Sequence, residues 1–293
     1  MINLTKMRLK NLILLFFLAP VIFSFQSANQ TFIPLGLVAP IEKDSVTSAS
    51  GFKLFGESVG RMISPSLSEE KFKQNLELIK KAKCKLYMCN VMFPGKMKIA
   101  GPDVQEQVVL GYVDSLFFRA QQAKVSVIVL GSGAARRLPD DYDIDKAKKE
   151  FVLLGKKIAA TAKKYNIKIA LENLQSKETN FLTSVKSAAE VVRRVNHPNF
   201  RLNADIFHMK REGESPQSIV DAKDLLVHCE IAEVAERTLP GIKGDDFRPY
   251  LRALKTANYK GPIFVEAGNN YSAAQMAFCF QYLTKQIEDV YTH

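Results

Sequence analysis

The stretch LLVHCEIAE, residues 225–233, carries a histidine and two carboxylates inside an otherwise apolar run. Side chains of a β-strand alternate between its two faces, so His228 and Glu230 share one face while the apolar residues between them lie on the other. Titratable groups of this kind bind cations or transfer protons, whereas an apolar face packs against helices. The pattern predicts a strand with one buried apolar face and one face that carries the titratable side chains.

Three other apolar runs end in a carboxylate with the same alternation: Glu172 in IKIALEN, Asp205 in FRLNAD and Glu266 in PIFVEA. Carboxylates crowded into one place repel one another strongly at low dielectric unless protons or a cation compensate their charge. Oxygen ligands with at most one imidazole suit Mn²⁺ or Mg²⁺, with Zn²⁺ or Co²⁺ as alternatives. We therefore expect a divalent cation at this cluster, to which the strands bring Glu172, Asp205, Glu230 with His228, and Glu266.

Polar residues near several strand ends are candidates to bind a substrate beside these carboxylates. His208 follows Asp205 by three residues, and the others lie on loops or at the ends of candidate strands. The expected substrate-binding residues are His208, Glu178, Arg237, Glu57 and Asn90. The alternative interpretations are surface loop charges for Glu178 and Arg237 and a hydrogen-bonded core histidine for His228.

Eight short apolar runs alternate with longer amphipathic segments from residue 33 onward. They are residues 35–39, 52–57, 85–90, 125–131, 167–173, 200–205, 224–232 and 262–267. The sequence SLSE, Ser66 to Glu69, predicts a capping box at the start of the first long helix. Strands alternating with helices predict a parallel sheet, and their number favours an α/β fold of one domain, a closed (β/α)8 TIM barrel, over an open doubly wound sheet. Active sites of such barrels lie at the C-terminal strand ends, which is where the carboxylates fall.

The N-terminus has the composition of a targeting segment. Lys6, Arg8 and Lys10 precede an apolar run that is followed by small or polar residues. This order predicts a signal peptide over residues 1–28 and a barrel domain over residues 29–293, with an uncleaved membrane anchor as the alternative. We expect an exported, periplasmic protein with no stable membrane anchor after cleavage.

The composition argues against a nucleic-acid partner. The 293 residues are 47% hydrophobic and carry a formal net charge of +11, which falls to +8 when the three basic residues of 1–28 are removed. In KAKKEFVLLGKKIAATAKKY, apolar residues recur at helical spacing and the lysines fall largely on the other side, as on a solvated helix face. The cysteines, at 84, 89, 229 and 279, lack zinc-site spacing, and we expect buried free thiols.

Several motifs together resemble a known family. ALENL with Glu172, the D-x-x-H of ADIFH, HCEIAE with RTLPG beyond it, and FVEAG with Glu266 resemble the sugar phosphate isomerase/epimerase family of xylose-isomerase-like TIM barrels, across residues 35–290. ESVGR and CNVMFPGKMKIAGP resemble an exported bacterial subgroup. The resemblance implies one divalent metal held by two Glu, one Asp and one His. The expected metal ligands at the matching positions are Glu172, Asp205, Glu230 and Glu266, and His208 matches the family's substrate-binding histidine.

The chain departs from that family at one metal ligand. The family strand usually reads H-x-H-I-A-E with the second histidine as ligand, whereas this chain reads H-C-E-I-A-E and has Glu230 there. Glu230 either ligates the metal directly, in an all-carboxylate site that prefers harder cations, or marks a site that has lost its metal. We expect metal binding to be retained, because the other ligands are intact and an unneutralised cluster is costly.

The resemblance implies an enzyme that abstracts a proton next to a carbonyl of a small-molecule carbohydrate, with Glu172 and Glu266 as catalytic base and acid. Epimerisation, isomerisation and β-elimination remain open as outcomes, and export favours a free sugar, keto-sugar or glycoside. The alternative function is a carbohydrate-binding barrel with a degenerate metal site. An endonuclease IV-like nuclease is less expected, because that group needs several metals and this chain has four histidines. A homo-oligomer remains open.

Overall fold

The computed structural model describes residues 33–268 and 270–292. The expected signal peptide, residues 1–28, lies outside the described residues. Within the described ranges, none of the helices combines the length and the hydropathy of a transmembrane span.

Eight parallel strands close into a barrel in which each strand pairs with its neighbours in the chain and the last pairs with the first. The strands are Leu35–Val38 (β1), Leu54–Ser58 (β2), Lys85–Asn90 (β3), Val127–Leu130 (β4), Lys168–Glu172 (β5), Phe200–Asp205 (β6), Leu226–Ile231 (β7) and Ile263–Val265 (β8). Each lies within a predicted apolar run or extends one residue beyond it. The expected (β/α)8 TIM barrel is confirmed.

Helices lie between the strands, and short ones begin several loops at the C-terminal mouth. They are Asp44–Ala49 (α1), Val59–Met62 (α2), Glu69–Lys81 (α3), Glu106–Gln122 (α4), Gly133–Arg136 (α5), Ile144–Lys164 (α6), Val185–Val195 (α7), Ile206–Arg211 (α8), Gln217–Asp221 (α9), Arg248–Thr256 (α10) and Ala273–Tyr291 (α11). A single 3₁₀ turn, Ile41–Lys43, follows β1.

The inside of the barrel is filled by side chains rather than open to solvent. Met88, Val127, Val129, Ala170 and Phe264 form this inner cluster, distinct from the larger core between strands and helices. The Phe264 ring lies over Gly36 of β1, where an added Cβ atom would come within 2.4 Å of the ring. A closed, filled barrel gives the strand ends a fixed floor on which polar side chains can be held.

Local sequence explains where the helices begin, with one correction. Asp143 caps α6 through hydrogen bonds from the backbone N–H groups of residues 145 and 146. The cap of α3 is Ser68, which accepts from Lys71 N at 3.1 Å, and the expected cap Ser66 instead pairs with the Ser64 hydroxyl at 2.7 Å. The prediction was therefore wrong by two residues, because the Ser66 hydroxyl is hydrogen-bonded to the Ser64 hydroxyl instead of the helix N-terminus. The four cysteines are free and buried, as expected.

Candidate active site and metal centre

Four carboxylates from four successive strand ends converge at the C-terminal mouth of the barrel. One oxygen atom from each of Glu172, Asp205, Glu230 and Glu266 lies within 4.8 Å of the others. The register between β6 and β7 shifts after Leu202, which sets Asp205 directly beside Glu230. The structure thus brings together all four residues expected to ligate a metal.

Two of these carboxylates keep an oxygen without a hydrogen-bond partner. Asp205 Oδ1 accepts from His208 N at 3.0 Å, and Glu230 Oε2 accepts from the side-chain amide of Asn203. Asp205 Oδ2 and Glu230 Oε1 are buried and unpartnered among the described residues. Buried polar atoms are normally satisfied, so these two oxygens fit a bound cation.

Burial and mutual repulsion raise the pKa values of this cluster. The pKa of Glu172 lies well above its usual value because of burial first and then the charges of Glu230, Glu266 and Asp205. The pKa of Glu230 is raised well above its usual value by burial and by Glu266 and Asp205. Burial also raises the pKa of Glu266, but Arg237 and a hydrogen bond from Asn90 oppose that shift. A divalent cation among these groups would relieve the same repulsion.

Glu172 is held from three sides at the end of β5. Its carboxylate packs against Gly131, where an added Cβ atom would lie 2.0 Å from Oε2. Its backbone carbonyl accepts from Arg136 Nη1 at 2.7 Å. The next residue, Asn173, exchanges two hydrogen bonds with the backbone of Asp205, at 3.1 and 2.9 Å. These contacts fix the ends of β5 and β6 relative to one another.

Arg136 is fully buried, and among the described residues its guanidinium makes one hydrogen bond, to the carbonyl of Glu172. Burial lowers its pKa to about 10, and the charges of Glu172 and Glu178 oppose the shift. A buried guanidinium is costly unless it is paired with negative charge. Arg136 therefore offsets part of the charge of the carboxylates above it.

His208 faces the carboxylates as a hydrogen-bond donor. Its Nδ1 accepts the backbone N–H of Gln175 at 3.1 Å, which in the neutral ring places the proton on Nε2. His208 Nε2 lies 3.7 Å from Glu172 Oε1 and 3.7 Å from Asp205 Oδ2. These three residues could hold an ion by distance alone, but a protonated Nε2 has no lone pair for a metal. The tautomer favours a bond to a substrate oxygen instead.

A cavity of about 350 Å³ opens above the cluster. Its polar lining includes six expected site residues: Asn90, Glu172, Glu178, His208, Arg237 and Glu266. Its apolar lining includes Val38, Val91 and Leu174. The volume and the mixed lining suit a molecule of the size of a monosaccharide.

Glu57 does not line this cavity, contrary to the expectation that it binds substrate. Its neighbour Gly56 faces the barrel interior, where an added Cβ atom would contact Met88 and Val38. The alternation of the strand therefore turns Glu57 outward. There its carboxylate accepts from Ile41 N at 3.3 Å and from Arg61 Nε at 3.2 Å, and burial raises its pKa.

His228 lies below the carboxylates inside the barrel. Its ring stacks near Tyr87 and Phe264, with centroids 6.4 and 5.1 Å away. Burial lowers its pKa to about 3, so the ring is neutral near pH 7. Its Nε2 lies 3.6 Å from Glu230 Oε1, which places a neutral imidazole beneath the predicted ligand.

Sequence reasoning missed several residues that hold the site. Asn203 faces inward with Asp205 on β6, and the alternation of the strand could have identified it. Arg136 donates to the backbone carbonyl of Glu172, and the backbone N–H of Gln175 donates to the His208 ring. No local pattern signals such contacts.

The chain matches the family model described as xylose isomerase-like TIM barrel over residues 46–281. Among curated proteins it is 29% identical over 112 residues to the ketose 3-epimerase of Arthrobacter globiformis, covering 38% of each chain. It is 29% identical over 141 residues to the putative hydroxypyruvate isomerase of Mus musculus, covering 45% of this chain and 51% of that protein. The matched segments thus span about two fifths to one half of these relatives.

Solved structures show the same fold at lower sequence identity. The 3-keto-D-glucoside 4-epimerase of E. coli superimposes with a TM-score of 0.72 at 17% identity, covering 87% of this chain and 99% of that one. The D-allulose 3-epimerase of Methylomonas sp., solved with D-allulose, superimposes with a TM-score of 0.74 at 16% identity, covering 87% and 97%.

Proposed function

This chain belongs to the xylose isomerase-like TIM barrel family, and we propose that it is a divalent-metal-dependent sugar isomerase or epimerase. The observation that carries the proposal is the convergence of four strand-end carboxylates, two of them with unpartnered buried oxygens, under a cavity of monosaccharide size. The similar proteins support it, because ketoses, hydroxypyruvate and 3-keto-glucosides all carry a carbonyl group beside a carbon that bears hydroxyl.

Glu172, Asp205, Glu230 and Glu266 are the residues that would hold the metal, and the oxygen-only donor set favours Mn²⁺ or Mg²⁺. When bound, such an ion would stabilise the negative charge that develops on the carbonyl oxygen as the proton leaves. Asn203 and Asn90 orient Glu230 and Glu266 through their side-chain amides. The four residues thus form a site whose ligands are already held in place.

Glu172 and Glu266 differ in environment, which suits a pair that exchanges a proton with one carbon atom. The carboxylate of Glu172 has no hydrogen bond in the described part of the chain, and burial favours its protonated form. Glu266 is bound by Arg237 and Asn90, and these contacts favour its ionised form. We propose that one carboxylate takes the proton from the carbon beside the carbonyl and that the other returns a proton, with the roles reversed in the opposite direction.

His208 and Arg237 would bind the oxygens of the substrate. The tautomer of His208 presents Nε2–H to the cavity, and Arg237 and Glu178 lie along the same side of it. An imidazole N–H donor and a guanidinium beside the reacting carbon stabilise oxygen atoms that gain negative charge.

Deuterium exchange tests the proposed reaction. Mn²⁺-loaded protein is incubated in D₂O with D-fructose, D-tagatose, D-psicose, L-ribulose and hydroxypyruvate, and deuterium at the carbon beside the carbonyl is measured by NMR. We expect uptake with at least one of them, reduced about 10³-fold or more in Glu172→Gln and Glu266→Gln. A substrate that is converted without deuterium uptake and without elimination would rule out this mechanism.

A second candidate function is a carbohydrate-binding barrel, which the replacement of the family histidine by Glu230 favours. That function predicts sugar binding that is unaffected by a chelator and no deuterium exchange. Turnover that EDTA abolishes and Mn²⁺ restores would exclude it.

We further propose that the protein is exported to the periplasm, on the composition of residues 1–28. Free sugars, keto-sugars and glycosides are then its expected substrates. N-terminal sequencing of the protein from a periplasmic fraction tests this proposal: a mature N-terminus near residue 29 supports export, and an intact Met1 in the cytosolic fraction contradicts it.

A further inference from the structure

The loop between β7 and α10, residues 232–247, is organised around one buried carboxylate. Glu233 is fully buried and accepts hydrogen bonds from four backbone N–H groups and one hydroxyl. The donors are Gly241 N at 2.8 Å, Lys243 N at 2.5 Å, Gly244 N at 2.9 Å, Asp245 N at 3.1 Å and Thr238 Oγ1 at 2.8 Å. Its own backbone N–H donates to the Thr238 carbonyl at 3.0 Å. Glu233 thus ties both ends of the loop to one point.

The middle of this loop has an unfavourable backbone conformation. Glu236 and Arg237 are consecutive non-glycine residues with φ values of 58° and 50°. Residues with a Cβ atom rarely adopt the left-handed region, so two in succession must be held by the surrounding structure. Glu233 precedes this segment and all the donors to its carboxylate follow it, so these hydrogen bonds close the chain around residues 236 and 237 and help to hold their conformation.

The strained segment delivers Arg237 to the carboxylate cluster. Arg237 Nε donates to the Glu266 carbonyl at 3.1 Å, and Nη2 donates to the Glu266 carboxylate. Nη2 also lies 3.8 Å from Asp205 Oδ2, and Nη1 lies 3.5 Å from Glu178 Oε1. The guanidinium packs over the Phe207 ring, 4.5 Å from its centroid. Arg237 therefore places a positive charge directly against the carboxylate of Glu266, one of the expected metal ligands.

We propose that Glu233 is a positioning residue that holds Arg237 over the carboxylate cluster. Both oxygens of Glu233 are used, since Oε1 accepts from three N–H groups and Oε2 from one N–H group and the Thr238 hydroxyl. Glutamine has the same size, but its NH₂ group would face donors in either orientation. The placement of Arg237 stands on these contacts alone, whereas its effect on metal binding rests on the proposed function.

Trypsin cleavage after Arg237 measures this placement without any ligand. We expect the bond between residues 237 and 238 to be cut at least about tenfold faster in Glu233→Gln than in the wild type, because the loop opens more often. Glu236→Gln is the matched control, since the Glu236 side chain lies in the same loop and is 75% exposed. With each rate normalised to cleavage of the same bond in the urea-unfolded chain, we expect the rate of this control to equal that of the wild type. Equal rates for Glu233→Gln and the wild type would overturn the proposal.

Thr238→Val serves as a second, milder variant in case Glu233→Gln fails to fold. It removes one donor to Glu233 and leaves the backbone donors in place. With each rate normalised to cleavage of the same bond in the urea-unfolded chain, we expect an increase of about twofold or more. No increase would overturn the proposal in the same way.

Mn²⁺ titration separates positioning from general stabilisation. Arg237 places positive charge beside Asp205 and Glu266, so Arg237→Gln should bind Mn²⁺ about threefold or more tightly than the wild type. Glu233→Gln should shift affinity in the same direction, and adding it to Arg237→Gln should change nothing further, because Glu233 acts through Arg237. An equal shift in both backgrounds would contradict positioning. If the wild type binds no Mn²⁺, the proposed metal dependence fails while the trypsin result still decides the role of Glu233.

Discussion

Glu230 is the residue that separates this chain from the family pattern. It lies directly beside Asp205, it is fully buried, and one of its oxygens has no partner among the described residues. An additional carboxylate in place of an imidazole makes the donor set harder, so it should change which metal is bound rather than whether one is bound.

Glu230→His should restore the family ligand and shift metal preference. We expect the ratio of Zn²⁺ to Mn²⁺ affinity to rise about tenfold or more, because imidazole favours zinc more than manganese. Competitive calorimetric titration measures the ratio, with Glu236→His as an exposed control that should leave it unchanged. An unchanged ratio in Glu230→His would show that residue 230 is not a ligand.

Glu230→Gln tests the electrostatic cost of the cluster in the metal-free protein. The pKa of Glu230 is raised by burial and by Glu266 and Asp205. Its contribution to stability is therefore complete below its unfolded pKa, near 4.5, and is lost as pH rises through the folded value. The pKa of His228 is lowered to about 3, so its protonation destabilises both folded proteins at low pH. This effect is the same in the wild type and the variant, and it cancels in the comparison.

We expect the melting temperature of Glu230→Gln, relative to the wild type, to be higher at pH 8 than at pH 5 by about 3 °C or more. Calorimetry in the presence of EDTA measures both proteins. A difference that is constant with pH, or that grows toward pH 5, would contradict the account of the cluster.

Alternation along strands was enough to predict that the four carboxylates face inward. Asn90 and Glu57 were chosen only because each ends a candidate strand, and of the two only Asn90 lines the cavity. Gly56 is the inward residue of β2, so the next residue, Glu57, faces outward. The role of Arg136 and the tautomer of His208 depend on backbone atoms of other segments, which a sequence pattern cannot show.

The end of β4 leaves room for the site because the residue that follows it, Gly131, has no side chain. Gly131 follows β4, and its Cα atom is where the Glu172 carboxylate packs. An added methyl group would meet the far end of a flexible side chain, so the barrel should fold while Glu172 moves.

Gly131→Ala should reduce Mn²⁺ affinity about tenfold or more with a change in melting temperature of no more than about 4 °C. Gly111→Ala on α4 is the matched control, because no atom lies within 4 Å of the added methyl group there. Mn²⁺ titration and calorimetry of both variants test this expectation. Wild-type affinity in Gly131→Ala would mean that the observed position of Glu172 does not matter for the metal.

Element boundaries show what a sequence can and cannot specify. The eight strands were predicted because each is a short apolar run bounded by polar residues. The start of α3 was misplaced by two residues because three serines, at 64, 66 and 68, compete for the cap. Ser68 caps the helix, while Ser66 is taken by Ser64, and only their spatial arrangement distinguishes them.

For the molecule as a whole, closure of the barrel turns separate strand ends into one site. Glu172 and Glu266 lie on strands that are almost a hundred residues apart in the sequence, and they meet because β1 pairs with β8 and every other strand with its neighbours. The count of alternating elements predicted this closure. Enzymes with different reactions share this fold, so closure of the barrel does not specify which reaction takes place at its mouth.

We propose that the four carboxylates hold one divalent cation, and calorimetric titration of Mn²⁺ into the metal-free protein measures this binding. Asp205→Asn is the comparison, because asparagine retains the helix cap while removing the charge. We expect about one Mn²⁺ per chain in the wild type and affinity at least about 100-fold weaker in the variant. No binding by the wild type, or equal binding by both proteins, would show that the cluster is not a metal site.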